Sequence, residues 1–397
     1  MIQFTCSWYT LPPPTIKEAD GKVSIQADRW LTYTPHPDNW EEQRVQVRTT
    51  VHCQALSRQS ADKMQGILAH CFEALWDHNA MPPLAAGTFG MVKQVPCEGL
   101  VFKVNHDPLD YDNAINEGKT QFALNHKALM PCLGYVLAPD VQRCLLFYPM
   151  AHCTLAQRIN SIPEVPFVWL HRLETFVGIT EGVQYLHNNN LVHNDLHYPN
   201  VMLTERGHPL ISDFGAMALQ GTPNDNVTPS SEKFIAQFNG LPVKRELTSN
   251  HLHLPPEFYT GPTLEYTADI FMLGVLLTGL LEGTLCELAW TNHPDCKFNN
   301  CPAECRHFLW PAPQRRQKLR CYPGHRKIRV DSDLHVQYPE NALKARELAS
   351  HCLKVSPQER PSSAMAVGQV VEEILISEQP SHQLFYRDKL RPAPVWV

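Results

Sequence analysis

Three polar residues in the middle of the chain have the types and spacing to move a phosphoryl group. The run His193-Asn194-Asp195-Leu196-His197-Tyr198-Pro199-Asn200 is followed, eighteen residues after Asp195, by Asp213-Phe214-Gly215. An aspartate in a loop can orient the hydroxyl of an acceptor and take its proton. An asparagine five residues on can hold Mg²⁺ from the same loop. A second aspartate, just before a glycine, can bridge that metal to nucleotide phosphates. No serine or cysteine paired with a base accompanies them, so direct in-line transfer is expected rather than a covalent relay. The protein's share of such chemistry is positioning and electrostatics, and positioning alone is worth about 7–11 kcal/mol.

These residues need elements to hold a nucleotide against them. Leu84-Ala85-Ala86-Gly87-Thr88-Phe89-Gly90-Met91-Val92 is a glycine-punctuated strand and turn. Gly87 and Gly90 permit close backbone approach to phosphates, and Phe89 would cap the tip. Taken alone, the segment reads equally well as a plain hairpin. A tight turn at Cys97-Glu98-Gly99 leads into Leu100-Val101-Phe102-Lys103-Val104, which buries a lysine in an apolar strand. Such a lysine is costly unless paired. Further on, Cys144 to Met150 reads as a strand, and Leu170 to His187 as a long amphipathic helix.

The ordered set of segments resembles the eukaryotic-type protein kinase superfamily, closest in motifs to the tyrosine-kinase-like serine/threonine kinases. The C-terminal half adds to it: Leu254-Pro255-Pro256-Glu257 resembles the end of an activation segment, Asp269 to Val275 the start of a buried large-lobe helix, and Pro357-Gln358-Glu359-Arg360-Pro361-Ser362 a late segment whose arginine pairs with Glu257. The likeness covers residues 80–378. It implies an α+β, bilobal protein-kinase-like fold: a small five-stranded β lobe with one helix (80–150) and a mainly helical large lobe (151–378). It also implies the cofactors ATP and Mg²⁺ and a protein substrate, with serine or threonine as acceptor.

Carried over residue by residue, the resemblance makes Asp195, Lys103, Asn200 and Asp213 catalytic, with Asn200 and Asp213 as the Mg²⁺ ligands. Glu117 would position Lys103 against the α- and β-phosphates. Ala85 stands where the first glycine of the loop belongs. Val92, Val101 and Met202 would sandwich the base, Phe147 would be the gatekeeper, and the backbone from Tyr148 to Met150 would contact adenine. Asn194 replaces an arginine, His197 a lysine, Val101 a small residue and Gln121 an apolar helix residue. The metal and proton groups all remain, so an active kinase is expected; a pseudokinase scaffold on the same fold stays open as the alternative. A small-molecule phosphotransferase would lack the Pro-Pro-Glu ending with its arginine.

Size and composition agree with a large intracellular enzyme. The chain has 397 residues, 43% of them apolar, and a formal charge of −6. No basic field points to nucleic acid. The longest apolar run, Ile270 to Leu281, is too short for a bilayer span, so no membrane partner is expected. The start, Met1 to Ser7, does not read as a secretory leader, and the ending Val395-Trp396-Val397 does not read as a lipidation motif. Thirteen cysteines read as reduced thiols. The expected location is cytoplasmic, which for an effector of viral or bacterial origin means the host cytoplasm. Cys296, Cys301, Cys305 and Cys321, in an insertion over 284–330, could hold Zn²⁺, although their spacing is not that of a CxxC knuckle and ordinary thiols are the favoured reading.

Residues 1–79 read as an extension. Arg44 to Val51 alternates as a half-buried strand does, Val23, Ile25 and Ala27 hint at its partner, and Ser60 to His78 is patterned as an amphipathic helix. The apolar face of that helix must be covered, so the extension is expected to pack on the small lobe or to mediate self-association, and thereby to influence Glu117. Residues 379–397 read as a tail.

Overall fold

The computed structural model describes residues 15–19, 22–33, 45–55, 83–86, 90–95, 99–105, 107–160, 167–223, 236–238, 241–243, 254–255, 257, 262–283 and 336–378. The chain divides into two compact units. One comprises Met1–Met150, Gln237–Ser249 and Pro392–Val397; the other comprises Ala151–Ala236 and Asn250–Arg391. The helix expected over 60–78, Gly87 and Phe89, the zinc candidates Cys296, Cys301, Cys305 and Cys321, and the tail lie outside the described residues.

The first unit is built on strands β1 (Thr15–Ala19), β2 (Lys22–Tyr33), β3 (Val45–Ala55), β4 (Pro83–Ala86), β5 (Gly90–Val95) and β6 (Leu100–Asn105). Helix α1 (Tyr111–Ala123) and strands β7 (Gly134–Ala138) and β8 (Arg143–Pro149) follow. All eight strands form one sheet in the order β1-β2-β3-β7-β8-β6-β5-β4. Strands β4 to β8 are the five expected in the small lobe. The alternating stretch before Val51 is β3, and Val23 to Ala27 lie in its partner β2, as the patterning suggested. The strands of the extension join the lobe's sheet: β3 pairs antiparallel with β7 and continues it.

Register fixes which residues share a face, because residues directly opposite in an antiparallel pair point the same way. Lys103 opposes Val92 and Leu146, Leu146 opposes Tyr135, and Tyr135 opposes His52. That row lies under α1. Gly118 of α1 is needed there, since a Cβ would come within 2.4 Å of Leu146 Cδ2. The opposite face carries Phe102, Phe147 and Cys53, each 0% exposed.

The second unit begins with β9 (Cys153–Thr154), α2 (Leu155–Asn160) and α3 (Trp169–Asn188). Short strands follow: β10 (Leu191–Val192), β11 (Val201–Leu203), β12 (Pro209–Ile211) and β13 (Ala218–Leu219). β11 pairs with both β9 and β12, and β10 pairs with β13. These pairings bracket the two polar loops. The chain then runs through β14 (Ala236–Phe238) and β15 (Leu241–Val243), which from Gln237 on group with the first unit, and the second unit resumes with α4 (Tyr266–Glu282), α5 (Pro339–Cys352) and α6 (Ala364–Glu378). α4 is buried from Ala268 to Leu281, as a helix apolar on every side must be. It ends at Gly283 in the left-handed conformation, φ 65°, which glycine adopts without steric cost. Among the described residues no helix is long and apolar enough to cross a membrane.

Candidate active site

In the first unit the lysine of β6 meets the glutamate of α1. Lys103 Nζ donates to both Glu117 oxygens, at 2.8 and 2.9 Å. The side chains are 15% and 5% exposed, so each charge offsets the other's desolvation. Val92 and Val101 lie on the same sheet face as Lys103, and Ala85 pairs with Val92 across β4 and β5. Gly90 has no room for a side chain, since a Cβ would meet the Val104 carbonyl oxygen at 2.7 Å. Met150 is 40% exposed, and its N–H donates to the Gly99 carbonyl at 2.8 Å.

Phe147 is the residue expected as gatekeeper. It opposes Phe102, so its ring lies on the sheet face away from Lys103, 5.8 Å from the Phe102 ring. Tyr148, opposite Val101, takes the lysine face instead. The Tyr148 hydroxyl donates to Gln121 Oε1 at 2.9 Å, and Gln121 Nε2 donates to the Met130 carbonyl at 2.9 Å. Gln121, polar where an apolar residue was expected, is therefore buried with both ends of its amide paired. It ties α1 to β8 one helical turn past Glu117.

In the second unit the polar loops are fixed by a buried carboxylate. Asp269, in the first turn of α4 and 0% exposed, accepts the backbone N–H groups of His193 and Asn194 at 2.9 and 3.0 Å. It also pairs with His187 Nε2 at 2.9 Å. The helix N-terminus favours that negative charge. An acidic residue in the first turn of an otherwise apolar helix was the available sign of this role.

The His193 ring bridges the loops, and its partners define its tautomer. Nδ1 accepts the Asp195 N–H at 3.3 Å, which leaves Nε2 to donate to the Ser212 carbonyl at 3.2 Å. Burial lowers the His193 pKa, against the pull of Asp269, Asp195 and Asp213, in keeping with this neutral form. Asn200 Nδ2 donates to the Asp195 carbonyl at 2.9 Å and to Asp195 Oδ2 at 3.1 Å. His197 Nε2 lies 3.6 Å from Asp195 Oδ1. Asp195 and Asn200 are thus brought together, and Ser212, next to Asp213, is tied to them by its N–H and its Oγ, both donating to the Asn200 carbonyl.

Asn194 and Asp213 adopt φ of 64° and 62°. Non-glycine residues rarely sit there, although Asn and Asp pay least for it, and such strain concentrates at functional loops. Asn194 Nδ2 donates to the carbonyls of Val192 and Ala216, both at 3.3 Å. In place of an arginine, a short amide thus links the catalytic loop to the turn after Asp213. Met202 lies on β11, opposite Leu210 and Thr154.

The donor chemistry fits Mg²⁺. Asn200 commits its amide nitrogen to Asp195, which leaves the amide oxygen as a donor for a cation. That oxygen and the Asp213 carboxylate are hard ligands of the kind Mg²⁺ takes. Arg360 completes the second unit. Its guanidinium makes a bidentate pair with Glu257 and also donates to the carbonyls of Lys354, Val355 and Thr267.

Comparison with known proteins agrees with this geometry. The protein kinase domain family matches residues 87–372. The chain belongs to the protein kinase family. It is similar to "Probable serine/threonine-protein kinase PBL20" of Arabidopsis thaliana, 26% identical over 252 residues that cover 62% of this chain and 55% of that protein. It is likewise similar to "Probable serine/threonine-protein kinase PBL28" of the same plant, 28% identical over 244 residues, covering 60% and 58%. With "Serine/threonine-protein kinase-like protein CCR4" the identity is 25% over 271 residues, covering 67% and 33%. The chain therefore spans between 33% and 58% of the length of these relatives.

Proposed function

We propose that this protein transfers the γ-phosphoryl group of ATP to serine or threonine hydroxyls of a protein substrate. The observation that carries the reading is the catalytic loop, where Asp195 is held at its backbone carbonyl and at Oδ2 by Asn200. A carboxylate so fixed can align an incoming hydroxyl and take its proton as the bond to phosphorus forms. Lys103, paired with and directed by Glu117, neutralises the phosphates of the nucleotide. Mg²⁺, which Asp213 and the Asn200 amide oxygen would hold, supplies charge neutralisation along the phosphate chain. Neutral His193 keeps the loops of Asp195 and Asp213 in register, a positioning role rather than a proton-transfer one. The serine/threonine preference rests on the names of the relatives. The location this reading takes is a reducing compartment such as the cytoplasm, with Cys53, Cys132, Cys144, Cys153 and Cys352 present as thiols.

Phosphoamino-acid analysis after incubation with labelled ATP tests the acceptor class. Phosphoserine or phosphothreonine is expected, and phosphotyrosine alone would reverse that assignment. Lys103→Ala should lower transfer by about 10²-fold or more, the scale seen when one electrostatic stabiliser is removed.

A further inference from the structure

The three N-terminal strands lie wholly outside the stretch that matches the protein kinase family, which begins at residue 87. Yet they join the sheet that carries Lys103. β3 binds the outer edge of β7 over the register Thr50 to Cys53 against Leu137 to Gly134. This places His52 in the cross-strand row that ends at the site: His52 opposes Tyr135, Tyr135 opposes Leu146, and Leu146 opposes Lys103. Helix α1 is seated along that row. Glu117 pairs with Lys103, Gly118 admits Leu146, and the Phe122 ring stands edge-on to Tyr135 with centroids 5.4 Å apart and planes at 88°. On its other side Tyr135 is stacked by His52, at 4.3 Å and 19°. Tyr135 itself is 6% exposed, so the imidazole is part of what closes its pocket.

We infer that His52 is a positioning residue for the Lys103–Glu117 pair, and that the N-terminal strands are a working part of the kinase fold. Tyr135 can hold Phe122 only while its ring is fixed. His52 fixes it from the strand that the extension contributes. Phe122 lies five residues past Glu117, on the last turns of α1. Loosening Tyr135 therefore releases the end of the helix that aims the glutamate. Aromatic pairs of this kind shift local equilibria by about 2–10-fold.

The test uses the full chain, with His52→Ala and His52→Phe compared with wild type. Backbone hydrogen exchange is read over α1 and, as an internal control, over α4 in the other unit. His52→Ala should speed exchange in α1 by about 2–10-fold and leave α4 unchanged, while His52→Phe, which keeps a stacking ring, should stay within about 2-fold of wild type. In phosphate transfer, His52→Ala should lower kcat at saturating ATP, whereas a merely structural role would lower only the melting temperature. The inference is overturned if α1 exchange and kcat are unmoved in a folded His52→Ala protein, or if His52→Phe fails as badly as His52→Ala. The kinetic arm rests on the kinase reading; the exchange arm does not. Faster α1 exchange in His52→Ala, beside a folded wild type that transfers no phosphate, would sink the kinase reading and leave this one standing.

Discussion

Gln121 is 2% exposed, with Tyr148 and Met130 as partners at its two ends. Replacing it with leucine would take one hydrogen bond each from the Tyr148 hydroxyl and the Met130 carbonyl, at a cost of about 0.5–1.5 kcal/mol for each bond. Gln121→Leu should therefore lower denaturant stability, and adding Tyr148→Phe should restore part of the loss. A double mutant no more stable than the single would show that the two side chains are not coupled. Histidines give the same scale a pH signature. His126 accepts the Ala128 N–H at Nδ1, and burial, helped by Lys127, lowers its pKa from 6.5 to about 4. His193 is shifted in the same direction. Both folded values lie below the unfolded one, so below 6.5 the unfolded chain binds more protons. Stability should be full above that value and fall as pH drops toward about 4, and melting curves across that window check the sign. A protein that grows more stable on acidification there would contradict it.

At the scale of elements, the Arg360–Glu257 pair joins Glu257 to the turn that precedes α6. All of the arginine's described hydrogen bonds go to groups that only a planar fork reaches together. Arg360→Ala should cost about 3–5 kcal/mol, because Glu257 is left without its cation. Arg360→Lys should recover little, and chemical denaturation would reveal either failure. Elements were legible in the sequence where one face differed from the other. The alternation before Val51 announced β3, and the lysine inside Leu100 to Val104 announced a pair. From Cys144 to Pro149 both faces of β8 are buried, so no alternation marks the parity. That is why the sequence did not show that Tyr148, and not Phe147, shares a sheet face with Lys103. The pairing of β3 with β7 was not legible either, since hydrogen bonding between strands about eighty residues apart leaves no local pattern.

On the scale of the whole molecule, the first unit extends N-terminal to the family match, which begins at residue 87. Its sheet continues from the glycine-loop strands through β7 to β1, so the edge of β7 is paired rather than left open to association. The order of motifs from Lys103 to Arg360 was readable because each has its own chemistry. The contribution of the extension was not, because His52 acts through two aromatic neighbours. The central claim is that Asp195, held by Asn200 and the His193 loop, serves phosphate transfer. Its most direct test is transfer from ATP with Mg²⁺ to a generic protein substrate, with the products mapped by mass spectrometry for wild type and Asp195→Asn. The account predicts phosphorylated serine or threonine with the wild type and a loss of about 10²-fold or more with the variant. Equal transfer by both proteins, or none by a folded wild type, would contradict it.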